Sequence, residues 1–255
     1  MAWTSRDSAQ YNARTILKEF DVRKITLPRT VNTAVDEWQR ITTAIPAEPA
    51  ATALHDAVIG GASQADLDAV ALAVVASAHV RSAYMQAAQT AAQAVLRSIL
   101  DAAGPIHEQL AAQAAENISQ LERIAAQGNA SLADLVRDGD TDAARLHADR
   151  ELIGTELLNL YNVRDTALFP GGLQAARVGH FDCTRWVDPN APEHHHRSGT
   201  ITEGFIGGLQ VGGRLWFPTA QLAKEAAAPL FDEWQRGAEH AAATRRNAGG
   251  IAAFT

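Results

Sequence analysis

The residues best suited to chemistry lie together between His180 and His196. His180, Cys183, Asp188, Glu193, His194, His195 and His196 fall in one stretch rich in glycine and proline. Imidazole and thiolate are natural ligands for a zinc-like ion. His180-x-x-Cys183 followed by His194-x-His196 supplies four such donors. On an extended segment alternate side chains share a side, so His194 and His196 converge while His195 points away. Pro189, Asn190 and Pro192 predict an exposed loop, which makes a solvated His-rich turn the competing reading. A third reading is pH sensing, because clustered imidazoles gain charge together as pH falls.

Beyond that stretch the chemistry thins out. Cys183 is the single cysteine, so no intrachain disulfide forms, and the composition leans toward the cytoplasm. His180 and Asp182 flank it in sequence, but near-adjacent side chains seldom assemble a nucleophile, base and orienting acid. No Gly-x-Ser-x-Gly elbow, phosphate-binding Walker loop, dinucleotide fingerprint or His-Glu-x-x-His helix occurs. His79, His107 and His147 stand alone on predicted helices and read as satisfied or exposed histidines. The sequence therefore nominates no catalytic residue.

Tyr161-Asn162-Val163-Arg164-Asp165 closes a long helical pattern. It resembles the Tyr-x-x-x-Asp/Glu export signal of type VII secretion substrates, which are helical hairpins of high-GC Gram-positive bacteria. That resemblance implies a secreted helical effector whose export depends on Tyr161. The family's Trp-x-Gly turn is absent, since none of the five tryptophans has glycine two positions on.

The elements that must position these groups are mostly helical. Residues 1–61 read as short helices: Ser8 to Phe20, Asn32 to Ile45 closed by Pro46, and a short one ending at Gly60-Gly61. Residues 62–170 read as an antiparallel Ala-rich bundle. Ser63-Gln64-Ala65-Asp66 is a capping-box pattern and predicts helix to Ala103. Gly104-Pro105 then stops that helix and starts the next. Ile106, Leu110, Ala114, Ile118, Leu121 and Ala125 form an apolar stripe at helical spacing, able to serve an internal or a partner helix. Ser131 to Asp138 reads as short turns, and Thr141 to Leu168 as a third long helix with Leu146, Ile153, Leu157 and Leu160 on one side.

Residues 171–217 hold nine of the eighteen glycines and read as a β-hairpin segment. Thr200 to Thr202 and Gly208 to Val211 look strand-like, and Gly212-Gly213 leads into Arg214 to Phe217 as a tight hairpin. Arg177 to Trp186 adds a further expected strand. Residues 218–255 return to helix as far as Asn247, with a break or kink at Pro229 and a loose tail. One repeat spans the chain: Asp36-Glu37-Trp38-Gln39-Arg40 recurs as Asp232-Glu233-Trp234-Gln235-Arg236, each after an apolar residue. It reads either as two equivalent docking helices or as chance.

Charge and composition narrow the class. The net charge of −7 lies wholly in residues 62–168, which carry fourteen acidic and seven basic side chains; the remaining fifteen and fifteen cancel. Surplus negative charge repels phosphate backbones, so nucleic acid is an unsuitable partner. Between Asp68 and Arg97 the only formal charge is Arg81. The most apolar run, Ala69 to Val80, has about a dozen residues, short of the roughly 20 that span a bilayer. Residues 1–20 lack the apolar core of a signal peptide. A soluble protein, cytoplasmic or within a virion, is expected. Abundant Arg, Ala and Gly with three lysines point to a high-GC bacterial or viral genome.

The sequence thus predicts a mainly α protein with a small β-hairpin insertion. The function expected is structural: a homo-oligomer, or a subunit docking other assembly proteins, such as a component of a virus or prophage particle. The alternatives are a zinc-dependent enzyme built on His180, Cys183, His194 and His196, and the secreted effector.

Overall fold

The computed structural model describes residues 8–47, 50, 52–170, 173, 176–178, 181–187 and 199–251. They are mainly helical and divide into two compact units, Met1–Pro105 and Ile106–Thr255. That division runs through the region read from sequence as one Ala-rich bundle.

In the first unit three helices, α1 (Ser8–Val22), α2 (Arg29–Thr43) and α3 (Ala53–Ile59), pack on a fourth, α4 (Gln64–Asp101). The amphipathic pattern of α2 turns Val31 and Trp38 inward, and Pro28 precedes the first turn, its carbonyl accepting from the Val31 and Asn32 amides. The predicted capping box of α4 forms: the Asp66 amide donates to Ser63 Oγ and the Ser63 amide to the Asp66 carboxylate, both at 3.3 Å. Arg81 is drawn to the Pro46 carbonyl at 2.5 Å, which fixes the turn after α2 against α4.

Helix α4 ends two residues earlier than predicted, and α5 (Ala103–Ala126) starts after Ala102 alone. Gly104 and Pro105 therefore lie inside the first turn of α5. A first-turn amide has no partner within its own helix, so proline there sacrifices nothing. All six residues of the predicted stripe, from Ile106 to Ala125, are at most 9% exposed. This stripe is spent on the core of the chain.

The second unit continues with α6 (Leu132–Arg137), α7 (Thr141–Val163), a π-helical turn (Arg164–Leu168), a two-residue ladder of β1 (Arg177–Val178) with β2 (Phe181–Asp182), α8 (Ile201–Gln210) and α9 (Ala220–Ile251). Helices α6 and α8 pack on α7, and α9 packs on β1. Of the predicted side of α7, Ile153, Leu157 and Leu160 are buried and Leu146 is half-buried. Pro229 lies inside α9, which runs to Ile251, beyond the expected end at Asn247.

The predicted β-hairpin is not formed. Ile201–Gln210, expected to hold two strand-like segments, is helix. The Thr200 hydroxyl accepts from the Glu203 amide and the Glu203 carboxylate returns to the Thr200 amide, a capping box that starts α8. Of the glycines read as turn residues, Gly212 does take a left-handed turn at the end of α8, with a φ of +91°, whereas Gly208 and Gly213 serve packing. A Cβ on Gly208 would fall on the Trp186 ring, and one on Gly213 would meet that ring and the Gly208 carbonyl. Gly154 of α7 likewise leaves room for Thr202 of α8. Close approach, not a hairpin turn, is the reason for Gly154, Gly208 and Gly213. Segment 185–187 still meets 214–216 through an antiparallel bridge, with Val187 N donating to Arg214 O at 2.9 Å and Trp216 N to Arg185 O at 3.0 Å.

Candidate functional site

Of the four residues nominated for a metal, only Cys183 is described; His180, His194 and His196 lie outside the described residues. Cys183 packs in an apolar cluster with Leu173, Ala176, Ala223 and Ala227. Burial pushes its thiol up from the ordinary range, and the neighbouring Asp182 carboxylate adds to the shift. That is the opposite of what a thiolate nucleophile or ligand needs. Among the described residues no group of three or more His, Cys, Asp or Glu could hold a metal ion.

Among the described residues of the second unit, a dense polar arrangement surrounds Arg164, which sequence reasoning passed over. The π-helical turn sets Arg164 wholly inside, amid an apolar run that includes Tyr161, Val163, Ala167 and Leu168. Its Nε and Nη2 donate to Asp165 Oδ1 at 2.9 and 2.7 Å, and its Nη1 donates to the carbonyls of Thr184 (3.0 Å) and Pro218 (3.4 Å). The guanidinium also lies 5.0 Å from the Tyr161 ring centroid and 4.8 Å from that of Phe217. Arg177 reaches the other oxygen of Asp165 at 3.3 Å. Asp182 faces Arg177 and Arg185, each at 3.6 Å, and caps its own turn through the Thr184 amide. The one signal in the sequence is an arginine where the helical pattern demands an apolar residue.

Every one of these contacts runs to another protein group. A buried cation is tolerated only when paired and hydrogen-bonded, and Arg164 is both. It clamps the chain at Thr184 and Pro218 onto the end of α7, and so does positional work. Tyr161 is part of the same clamp: it is buried, and its hydroxyl donates to the Trp216 carbonyl at 2.9 Å. Burial pushes its phenol up. In the folded chain neither Tyr161 nor Asp165 of the export-like motif stands free for a receptor. His107 of α5 sits between Phe169 and Phe217, with ring centroids 6.0 and 5.5 Å away. Burial lowers its pKa below the usual 6.5, and the Arg164 charge assists against opposing backbone carbonyls.

A groove of about 680 Å³ in the second unit is lined by Arg123, Asp142, Arg145, Asp149 and Leu152 among others. Its charges are mixed and it brings no nucleophile and base together.

Among the described residues, one exposed surface on α4 departs from an ordinary protein exterior. Its packed side follows Val70, Val74, Ser77, Arg81, Ala88 and Ala92, which are buried or half-buried. Half a turn away, Ala65, Ala69, Leu72, Ala76, Val80 and Ala83 form a continuous exposed stripe, with Leu72 at 72% exposure and Val80 at 48%. A surface helix normally turns a charged or polar face to water, and one apolar all round is normally buried. No family model, curated protein or solved structure matches the chain.

Proposed function

We propose that the chain is a non-enzymatic structural protein that self-associates, or docks partner proteins, through its Ala-rich helices. The observation that supports this most is the second apolar face of α4. Over the 28 residues between Asp68 and Arg97 its one charge, Arg81, is held by the Pro46 carbonyl. The exposed stripe is long, neutral and built of small side chains, which permits close approach of another helix. Leu72 is 72% and Val80 48% exposed, so covering them is worth at most about 1–2 kcal/mol each. The antiparallel arrangement of the Ala-rich helices and a place in a virus or prophage particle of a high-GC host belong to the same reading. Capsid, portal or terminase genes beside this one would support that setting.

Light scattering on the purified chain tests the reading. The expected mass is well above the 27.2 kDa of one copy and rises with concentration. Leu72→Glu places a charge on the exposed stripe and is expected to lower that mass without loss of helix by circular dichroism. A wild-type mass of 27.2 kDa at every concentration sinks the proposal. Zinc at one atom per chain in the same preparation would instead favour the metal site at His180, Cys183, His194 and His196.

A further inference from the structure

A lone histidine on a helix is normally either satisfied or exposed, and His107 is neither. It is 9% exposed, and its Nε2 has no hydrogen-bond partner. A neutral imidazole carries one N–H, and the carbonyls of Phe217 and Pro218 accept it, which leaves Nε2 bare. Phe169 and Phe217 close over the ring, with centroids 6.0 and 5.5 Å away.

The surroundings shut out a second proton. From the π-helical turn the Arg164 guanidinium lies 4.8 Å from the Phe217 centroid, so a charged His107 would share that ring with another cation. From α7 comes Tyr161, stacked on Phe217 at 5.4 Å, and its phenol, pushed up by burial, stays neutral. Phe169, Phe217 and Pro218 bring no titratable group. Glu108, next along α5, favours the charged ring, but more weakly than burial and the Arg164 charge oppose it. Protonation would therefore put an N–H on Nε2 where nothing accepts it, and a positive charge in a cage of rings.

That cage is weakest at the strap from Gly213 to Thr219, which joins α8 to α9. The strap is neither helix nor ladder apart from the single bridge at Leu215. Arg164 holds its Pro218 carbonyl at 3.4 Å, the longest of the four bonds that guanidinium makes. The strap is also coupled to Cys183 in two ways. Trp216 Nε1 donates to the Cys183 carbonyl at 3.1 Å, and the chain beyond Thr219 enters α9, whose Ala223 and Ala227 pack in the cluster that buries the thiol.

We infer that His107 is an acid-sensitive latch: when its ring takes up a proton, the Phe217–Pro218 end of the strap swings off it and the start of α9 lifts from Cys183. In the open state the ring is in water and titrates at its ordinary 6.5. Opening is therefore unassisted above that value and gains as pH falls below it, by at most about tenfold per pH unit for one proton. The latch works within one copy and is independent of self-association.

Cys183 is the single cysteine of the chain, so its labelling reports the opening. The full chain and His107→Phe are labelled with a dithiodipyridine from about pH 7.5 to about pH 5, the range in which a histidine titrates. Dividing the two rates cancels the pH dependence of the reagent and of the thiolate. The expected ratio rises several-fold below about pH 6.5, while circular dichroism shows helix content kept. A level ratio means that the ring stays in place or leaves alone, and overturns the latch. A rise that comes with loss of helix means that the unit melts as a whole, and overturns it equally. If His107→Phe does not fold, His107→Gln is the reference, since it is neutral throughout and can donate to the same carbonyls.

Discussion

Single residues in the second unit show how much a polar group depends on its surroundings. His107 is held neutral because charging it would strip water from an imidazole enclosed by Phe169 and Phe217, beside the Arg164 cation. A histidine whose folded pKa lies below 6.5 binds protons more readily when unfolded. Its contribution to stability is therefore complete above 6.5 and is lost as pH falls from there through the lower folded value. Thermal melting of the wild type should decline between neutral pH and mild acid, before most carboxylates titrate. His107→Phe should flatten that part of the curve while still filling the space. Equal slopes for the two proteins would refute this account of His107.

At the level of elements, the contrast between α4 and α8 separates what a capping pattern says from what glycine says. Ser63 and Asp66 start α4, and Thr200 and Glu203 start α8 by the same reciprocal bonds. The second box is legible in the sequence, but the glycines around it pull the reading toward a turn. Their actual task is set by the Trp186 ring on Gly208 and by Thr202 against Gly154, neighbours that no local pattern reveals. Thr200 has a further role, since its hydroxyl donates to Glu151 of α7 at 3.1 Å. Thr200→Ala removes the cap of a ten-residue helix and this tie together. The expected cost is about 1 kcal/mol in urea unfolding, at the middle of the range for cap removal. No change in the urea midpoint would mean that packing alone holds the start of α8.

At the level of the molecule, two compact units imply two unfolding events, because each has its own buried residues. Arg164 belongs to the second unit only. Arg164→Leu leaves the Thr184 and Pro218 carbonyls without their donor and deprives Asp165 of its nearest cation. Breaking such a buried pair costs about 3–5 kcal/mol. Three of the four described tryptophans, Trp186, Trp216 and Trp234, lie in that unit. In this variant the fluorescence change should come at lower urea than much of the helix loss seen by circular dichroism. Coincident transitions in the variant would show that the units unfold as one. Lysine at 164 should rescue little, because a point charge cannot serve a carboxylate and two carbonyls in the planar fork that arginine provides.

The helices of both units were set by the sequence alone wherever apolar spacing and caps agree, as in α2, α4, α5 and α7. The stripe from Ile106 to Ala125 and the inward side of α7 could be named as apolar faces from period alone, because a helix repeats whatever surrounds it. What covers a face is a different kind of fact. Only the tertiary structure decided that the α5 stripe is internal, that the opposite side of α4 is left to solvent, and that Trp38 is seated while Trp234 is not. It also decided that Arg164 is a clamp, since its partners at Thr184 and Pro218 lie 20 and 54 residues away. Local patterns fix local geometry, and burial is a property of neighbours brought together from distant parts of the chain.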